Sequence, residues 1–133
     1  MYKYIIIMIL SFSLSAEGEF GVVPIITATW DNNIGFNYGV GLVLGIWGQG
    51  VLSGAYTSYS FSKKGNNLSL GPYAGAGIAS FRFGVNRFKD ISENKIYWGI
   101  ESSSTMILGH LRFGILKDYE KAKLSYAFGL GLF

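Results

Sequence analysis

The chain has 133 residues, with 11 Lys and Arg against 8 Asp and Glu, one histidine and no cysteine. That length allows one domain, and the small positive excess is too weak to argue for a nucleic-acid partner. The absence of thiols removes both disulfides and an acylated lipoprotein cysteine. Only 14% of the residues are charged, while 17% are aromatic and 19 are glycine; an ordinary soluble domain carries roughly 25% charged residues.

The first sixteen residues have Lys3 near the start, an apolar run from Ile5 to Leu10 that continues through Phe12 and Leu14, and small residues Ser13, Ser15 and Ala16 before Glu17. This is the layout of a secretory signal peptide cut near Ala16, with Gly18 as the other plausible site. The apolar run is short for a membrane anchor. The expected organisation is therefore a signal peptide over 1–16 and a single β-barrel over 17–133.

Phe20 to Trp30 reads as a strand running into the turn-forming cluster Asp31, Asn32 and Asn33. Ile34 to Gly45 alternates cleanly: Ile34, Phe36, Tyr38, Val40, Leu42 and Leu44 on one face, glycines, Asn37 and Val43 on the other. A three-residue turn would set Trp30 opposite Ile34 and Ala28 opposite Phe36. Gly45 to Gly50 reads as an uncharged turn holding Trp47, Val51 to Ser62 as a strand rich in hydroxyls, and Lys63 to Asn67 as a polar loop.

Leu68 to Phe88 is too long for one membrane-crossing strand of about 9 to 11 residues, so it divides near Ala76 and Gly77. Arg87 to Lys95 reads as a charged loop. Ile96 to Leu116 divides around Ser102 to Thr105, and Lys117 to Lys123 is the last charged loop. The final stretch, Leu124 to Phe133, alternates Leu124, Tyr126, Phe128, Leu130 and Leu132 with Ser125, Ala127, Gly129 and Gly131. One face is apolar and the other nearly bare, which suits lipid outside and a cramped interior.

The expected fold is all-β: an eight-stranded antiparallel up-and-down transmembrane barrel, its last strand pairing with its first to remove both edges. The connections alternate between charged loops and short turns of small residues, as in outer-membrane barrels. The rival is a small helical membrane protein, supported by pairs such as Gly35 and Gly39 at small-xxx-small spacing. Against it, each interior glycine costs a helix about 1 kcal/mol relative to alanine, and two-residue alternation has no purpose in a helix.

Gly71-Pro72-Tyr73-Ala74-Gly75-Ala76-Gly77, together with the C-terminal strand, resembles the small outer-membrane barrels of the OmpX and opacity-protein kind. The family's closing strand usually has an apolar residue two places before the terminal Phe, where this chain has Gly131. The resemblance implies an integral protein of the bacterial outer membrane, in contact with its lipid and lipopolysaccharide and delivered to the barrel-assembly machinery through the C-terminal strand.

Inside such a barrel, Arg82, Glu101, His110 and Arg112 form the expected polar cluster. Pairing Phe83 with Ile100 and Val85 with Trp98 would bring Arg82 opposite Glu101 as a buried ion pair, with Arg112 also inward and no partner named for it. Trp30, Trp47, Phe88, Tyr97, Trp98 and Tyr119 stand near polar loops or turns, and are expected in the interfacial aromatic girdles. Outer-membrane lipid A deacylases are similar in size and place a His-x-Ser pair on the penultimate strand. Here His110-Leu111-Arg112 lacks the serine, and Ser102, Ser103 and Ser104 are expected near the far end of the neighbouring strand. A lone histidine without cysteine offers no metal ligand set, and no phosphate-loop or dinucleotide signature is present. The expectation is thus a non-enzymatic barrel without cofactor or open pore, structural or surface-interacting in role, with a lipid-modifying barrel enzyme as the alternative.

Overall fold

A computed structural model describes residues 19–76 and 78–132; the expected signal peptide lies outside the described residues. The chain forms eight strands: β1 (Phe20–Asp31), β2 (Gly35–Gly48), β3 (Val51–Phe61), β4 (Gly65–Ala76), β5 (Ala79–Asp90), β6 (Lys95–Met106), β7 (Gly109–Lys117) and β8 (Ala122–Leu132). Each pairs antiparallel with the next, and β8 pairs with β1, so the sheet closes into a barrel. No helix of the described residues is long and apolar enough to cross a membrane.

Side chains alternate in and out along every strand, because the pleat has period two. On β2, Asn37, Gly39, Val43, Gly45 and Trp47 are buried, while Phe36, Tyr38, Val40, Leu42, Leu44 and Ile46 are exposed. The interior is layered. At the tight-turn end Val23, Ile25, Val43, Trp47, Leu52, Tyr56 and Tyr73 form an apolar plug; at the loop end Ile34, Phe88, Tyr97 and Leu116 form a second. Polar side chains fill the space between. Room for the large rings comes from inward glycines: a Cβ on Gly84 would collide with the Tyr56 hydroxyl and with the Leu70 carbonyl across the strand.

Several expected boundaries shift, each for a local reason. The Asp31 carboxylate accepts the N–H groups of Asn33 and Ile34 at 2.6 and 3.2 Å, so the first turn is 32–34 and Trp30 meets Phe36, not Ile34. Ile34 then lies in the loop-end plug instead of on the outer face of β2. β2 runs through Trp47 to Gly48, and the turn is Gln49 and Gly50 with φ of 52° and 76°, the two left-handed residues of a type I′ hairpin. β4 begins at Gly65 and β5 continues to Asp90, so Asn67, Arg87, Phe88 and Lys89 belong to strands.

The expected division at Ser102 to Thr105 is also displaced. Those residues continue β6, and the turn is Ile107 and Leu108, with φ of 54° and 98°. Branched residues rarely adopt that backbone region, which is why nothing in the sequence marks the turn. The register across the β5–β6 loop moves by two residues: Phe83 meets Ser102, Val85 meets Ile100, and Gly84, not Arg82, stands opposite Glu101. A shift of two preserves faces, so both charges still point inward.

Three of the six residues expected in the aromatic girdles are not there. Trp47, Phe88 and Tyr97 are 8%, 0% and 0% exposed and belong to the interior plugs. Alternation requires it for the last two, since Phe88 shares the face of Arg82 on β5 and Tyr97 shares that of Glu101 on β6. Trp30 and Trp98 face outward and Tyr119 projects fully from the last loop.

Candidate functional site: the charged layer inside the barrel

Arg82 on β5, Glu101 on β6, and His110 and Arg112 on β7 are all buried between the two plugs, at 3%, 5%, 6% and 7% exposure. Burying charge is costly unless each is paired and hydrogen-bonded, so the partners matter more than the positions. The main ion pair is not the one expected. Arg112 Nη2 bonds Asp31 Oδ2 on β1, with Ser125 Oγ on β8 at 3.3 Å and Glu101 Oε2 3.8 Å from Nη1. Glu101 in turn accepts from Asn67 Nδ2 at 3.2 Å, and Asn67 Oδ1 accepts from Asn86 Nδ2 at 2.8 Å. One connected network thus touches β4, β5, β6, β7, β8 and β1.

Arg82 stands apart from that network. Among the described residues no carboxylate lies within 4.0 Å of it; its Nη2 is 3.3 Å from His110 Nδ1, and its guanidinium carbon is 5.3 Å from the centre of the Tyr56 ring. Cation–π contact and the imidazole lone pair take the place of an acid. Because a guanidinium only donates, His110 Nδ1 acts as acceptor and the proton of the neutral ring sits on Nε2. Thr105 Oγ1, directly across the β6–β7 ladder, approaches the same Nδ1 at 2.9 Å.

The serines on β6 lie closer to His110 than expected, because the strand ends beyond them. Ser103 faces inward opposite Arg112, one inward position from the Thr105–His110 pair, while Ser102 and Ser104 face outward. Gly131 has a physical reason as well: a Cβ there would press on His110 Cβ at 3.1 Å and Thr27 Cγ2 at 3.2 Å. Gly131 is an inward position, so its neighbours are His110 and Thr27 and not the groups outside β8.

The cavity within this layer is small. Its volume is about 20 Å³, and its walls include Thr27, Ser58, Ser69, Arg82, Glu101 and His110. That holds about one water. Arg82 and Arg112 both line the cavity, and their Nε atoms have no protein partner; a water in this space is the natural acceptor for such N–H groups. Among the described residues no group of three His, Cys, Asp or Glu side chains could hold a metal ion.

Sequence reasoning missed Asp31, Asn67, Asn86, Thr105 and Ser125. Parity was the available signal, since Asp31 continues the inward face of Thr27 and Thr29, but its place in a turn-forming cluster pointed to solvent. Compared with protein-family models, curated proteins and solved structures, the chain matches none. What its geometry defines is a class: small closed eight-stranded antiparallel barrels with a filled interior, apolar at both ends and polar between.

Proposed function

We propose that the protein is a small integral barrel of the bacterial outer membrane, similar to the OmpX and opacity-protein kind, with a structural or surface-interaction role and no open pore. The observation that carries this reading is the outer wall. Outward strand positions are filled by residues such as Trp30, Phe36, Val40, Leu42, Leu70, Phe81, Phe83, Ile100, Phe113, Phe128 and Leu130, most of them about half exposed. Charge appears among them only at the loop end, as Arg87, Lys89 and Lys117. Soluble monomers rarely expose contiguous apolar patches beyond a few hundred Å², and this one encircles the barrel. An 11-residue strand such as β3, at about 3.3 Å per residue and a tilt of about 40°, rises about 28 Å, close to the ~25 Å apolar band of outer-membrane barrels.

The absence of a pore is supported by the two plugs and the single-water cavity between them. The loops at the charged end are short, 32–34, 62–64, 91–94 and 118–121, so a surface role rests on a small area. Entry through the barrel-assembly machinery by way of β8 belongs to the same reading. The test is fractionation followed by a gel comparison of unheated and boiled samples. Recovery in outer membranes with a heat-dependent change in mobility is expected; recovery in the soluble fraction, or identical mobility together with a helical circular-dichroism spectrum, would overturn the proposal.

A further inference from the structure

The register of the outer wall gathers its charges into one place. Arg87 on β5 pairs with Trp98 on β6, and Trp98 pairs with Lys117 on β7, so two outward cations flank one outward indole in a single row. Two strand spacings separate their Cα atoms by about 10 Å, a gap that two long side chains can close on one anion. Lys89 stands one outward position beyond Arg87, beside Ile96. An open groove of about 890 Å³ runs along this row, lined by Arg87, Trp98 and Lys117 in the row itself, by Ile100 and Ile115 toward the barrel's middle, and by Ile96, Asp118 and Tyr119 toward the loops.

These cations differ from the neighbouring lysines at the last two charged loops, Lys95, Lys121 and Lys123. Lys95 lies 3.9 Å from Asp118 and 3.6 Å from Glu120, Lys121 lies 3.9 Å from Glu93, and Lys123 lies 3.7 Å from Asp90. Among the described residues no carboxylate lies within 4.0 Å of Arg87, Lys89 or Lys117. Asp118 borders the groove, but it accepts the backbone N–H groups of Glu120 and Lys121 at 2.7 and 2.8 Å and faces Lys95. It is engaged within its own loop.

We propose that Arg87, Trp98 and Lys117 form a binding site for the phosphate group of a membrane lipid, one of whose acyl chains lies along Ile100 and Ile115. The proposal rests on the barrel being membrane-embedded. Its two halves match the two halves of such a lipid: unneutralised cations at the level where the apolar wall ends, and a branched aliphatic groove directly beneath them. A neutral lipid satisfies only the groove, and free phosphate only the cations.

The test uses the full-length folded barrel in vesicles of zwitterionic phosphatidylcholine doped with a few per cent of lipid A carrying its phosphates or of the same lipid dephosphorylated. After gentle detergent extraction, retained lipid is counted by native mass spectrometry. The phosphorylated form is expected to be retained at least tenfold better, the order that two interfacial cations provide. The double change Arg87→Gln with Lys117→Gln should abolish that preference while heat-dependent gel mobility in pure phosphatidylcholine stays unchanged. Lys63→Gln with Lys64→Gln removes as much charge from the 62–64 loop and should leave the preference intact. Equal retention of both lipids by the wild-type protein, equal loss in both double variants, or displacement of the lipid by millimolar inorganic phosphate would each overturn the site. Failure of the wild-type protein to enter phosphatidylcholine at all would overturn the membrane reading beneath it.

Discussion

The pair Asp31 and Arg112 joins β1 to β7 across β8, at the seam where the barrel closes, and its removal has a calculable effect. Asp31 Oδ1 holds the 32–34 turn while Oδ2 meets Arg112, so Asp31→Asn keeps the turn acceptor but turns an amide donor toward the guanidinium. Arg112 retains Ser125 and the more distant Glu101, which places the expected loss at the lower end of the 3 to 5 kcal/mol range for a broken buried pair, about 3 kcal/mol. Arg112→Gln leaves Asp31 and Glu101 both without their shared cation, and about 5 kcal/mol is expected. With a urea slope of about 1 to 3 kcal/mol per molar, the Asp31→Asn midpoint should fall by about 1 to 3 M. Urea titration of tryptophan emission, on protein folded in vesicles, measures it. The double variant should lose well under the sum of the two, a coupling on the order of 2 kcal/mol. Additivity to within about 0.5 kcal/mol would refute the reasoning, because it would mean that the two charges do not depend on each other.

Val40→Arg, at an outward position midway along β2, should cost about 2 to 4 kcal/mol in a bilayer, and a change within about 0.5 kcal/mol in the same titration would argue against hydrocarbon at that face. Lipids brominated on their acyl chains should quench Trp30 and Trp98 but not Trp47, read from single-tryptophan variants; strong quenching of Trp47 would reverse its inward assignment. The backbone N–H groups of Lys121 and Glu120 hold the Asp118 carboxyl below its ordinary value of 3.8. A depressed value means that the loop is stabilised above the unfolded value and loses that support as the pH falls through the folded one. Amide exchange at Glu120 and Lys121 should therefore accelerate relative to the strands only in acid below 3.8, and acceleration beginning near neutrality would contradict the turn.

Alternation was the informative signal, and it read the wall well wherever apolar and small residues strictly exchanged. β2 and β8 show this, and Phe36 to Leu44 and Tyr126 to Leu130 do share a face. Faces survive an error of two residues in register; partners do not. Arg82 and Glu101 were therefore placed inward from sequence, yet their contacts went elsewhere, because loops 32–34 and 91–94 are held by the Asp31 and Asp90 carboxylates, which accept the backbone N–H groups of Asn33 and Glu93. Where charge and aromaticity suggested a surface, composition misled: Asp31, Phe88 and Tyr97 sit beside polar residues in the chain but on the inner face of the sheet. The turn at Ile107 and Leu108 carries no glycine or asparagine to announce it.

Among the described residues the β1–β8 seam is the shortest ladder, from Ile26↔Leu132 to Asp31↔Ala127, whereas β1 and β2 pair along the whole of β1. The Asn32 side chain lengthens it by one residue's worth of bonding, accepting from Tyr126 N at 2.8 Å and donating to Leu124 O at 3.0 Å. Every other ladder joins neighbours in the chain, but this one joins the two ends, so its contacts have the largest loop-closure entropy to overcome and the fewest bonds with which to do so. In folding kinetics the seam is then expected to be the last pairing to form. Substitutions at Asp31, Asn32 or Arg112 should accelerate opening while leaving the β2–β6 meander intact, and the first species to appear during unfolding is an open, curled sheet with two free edges.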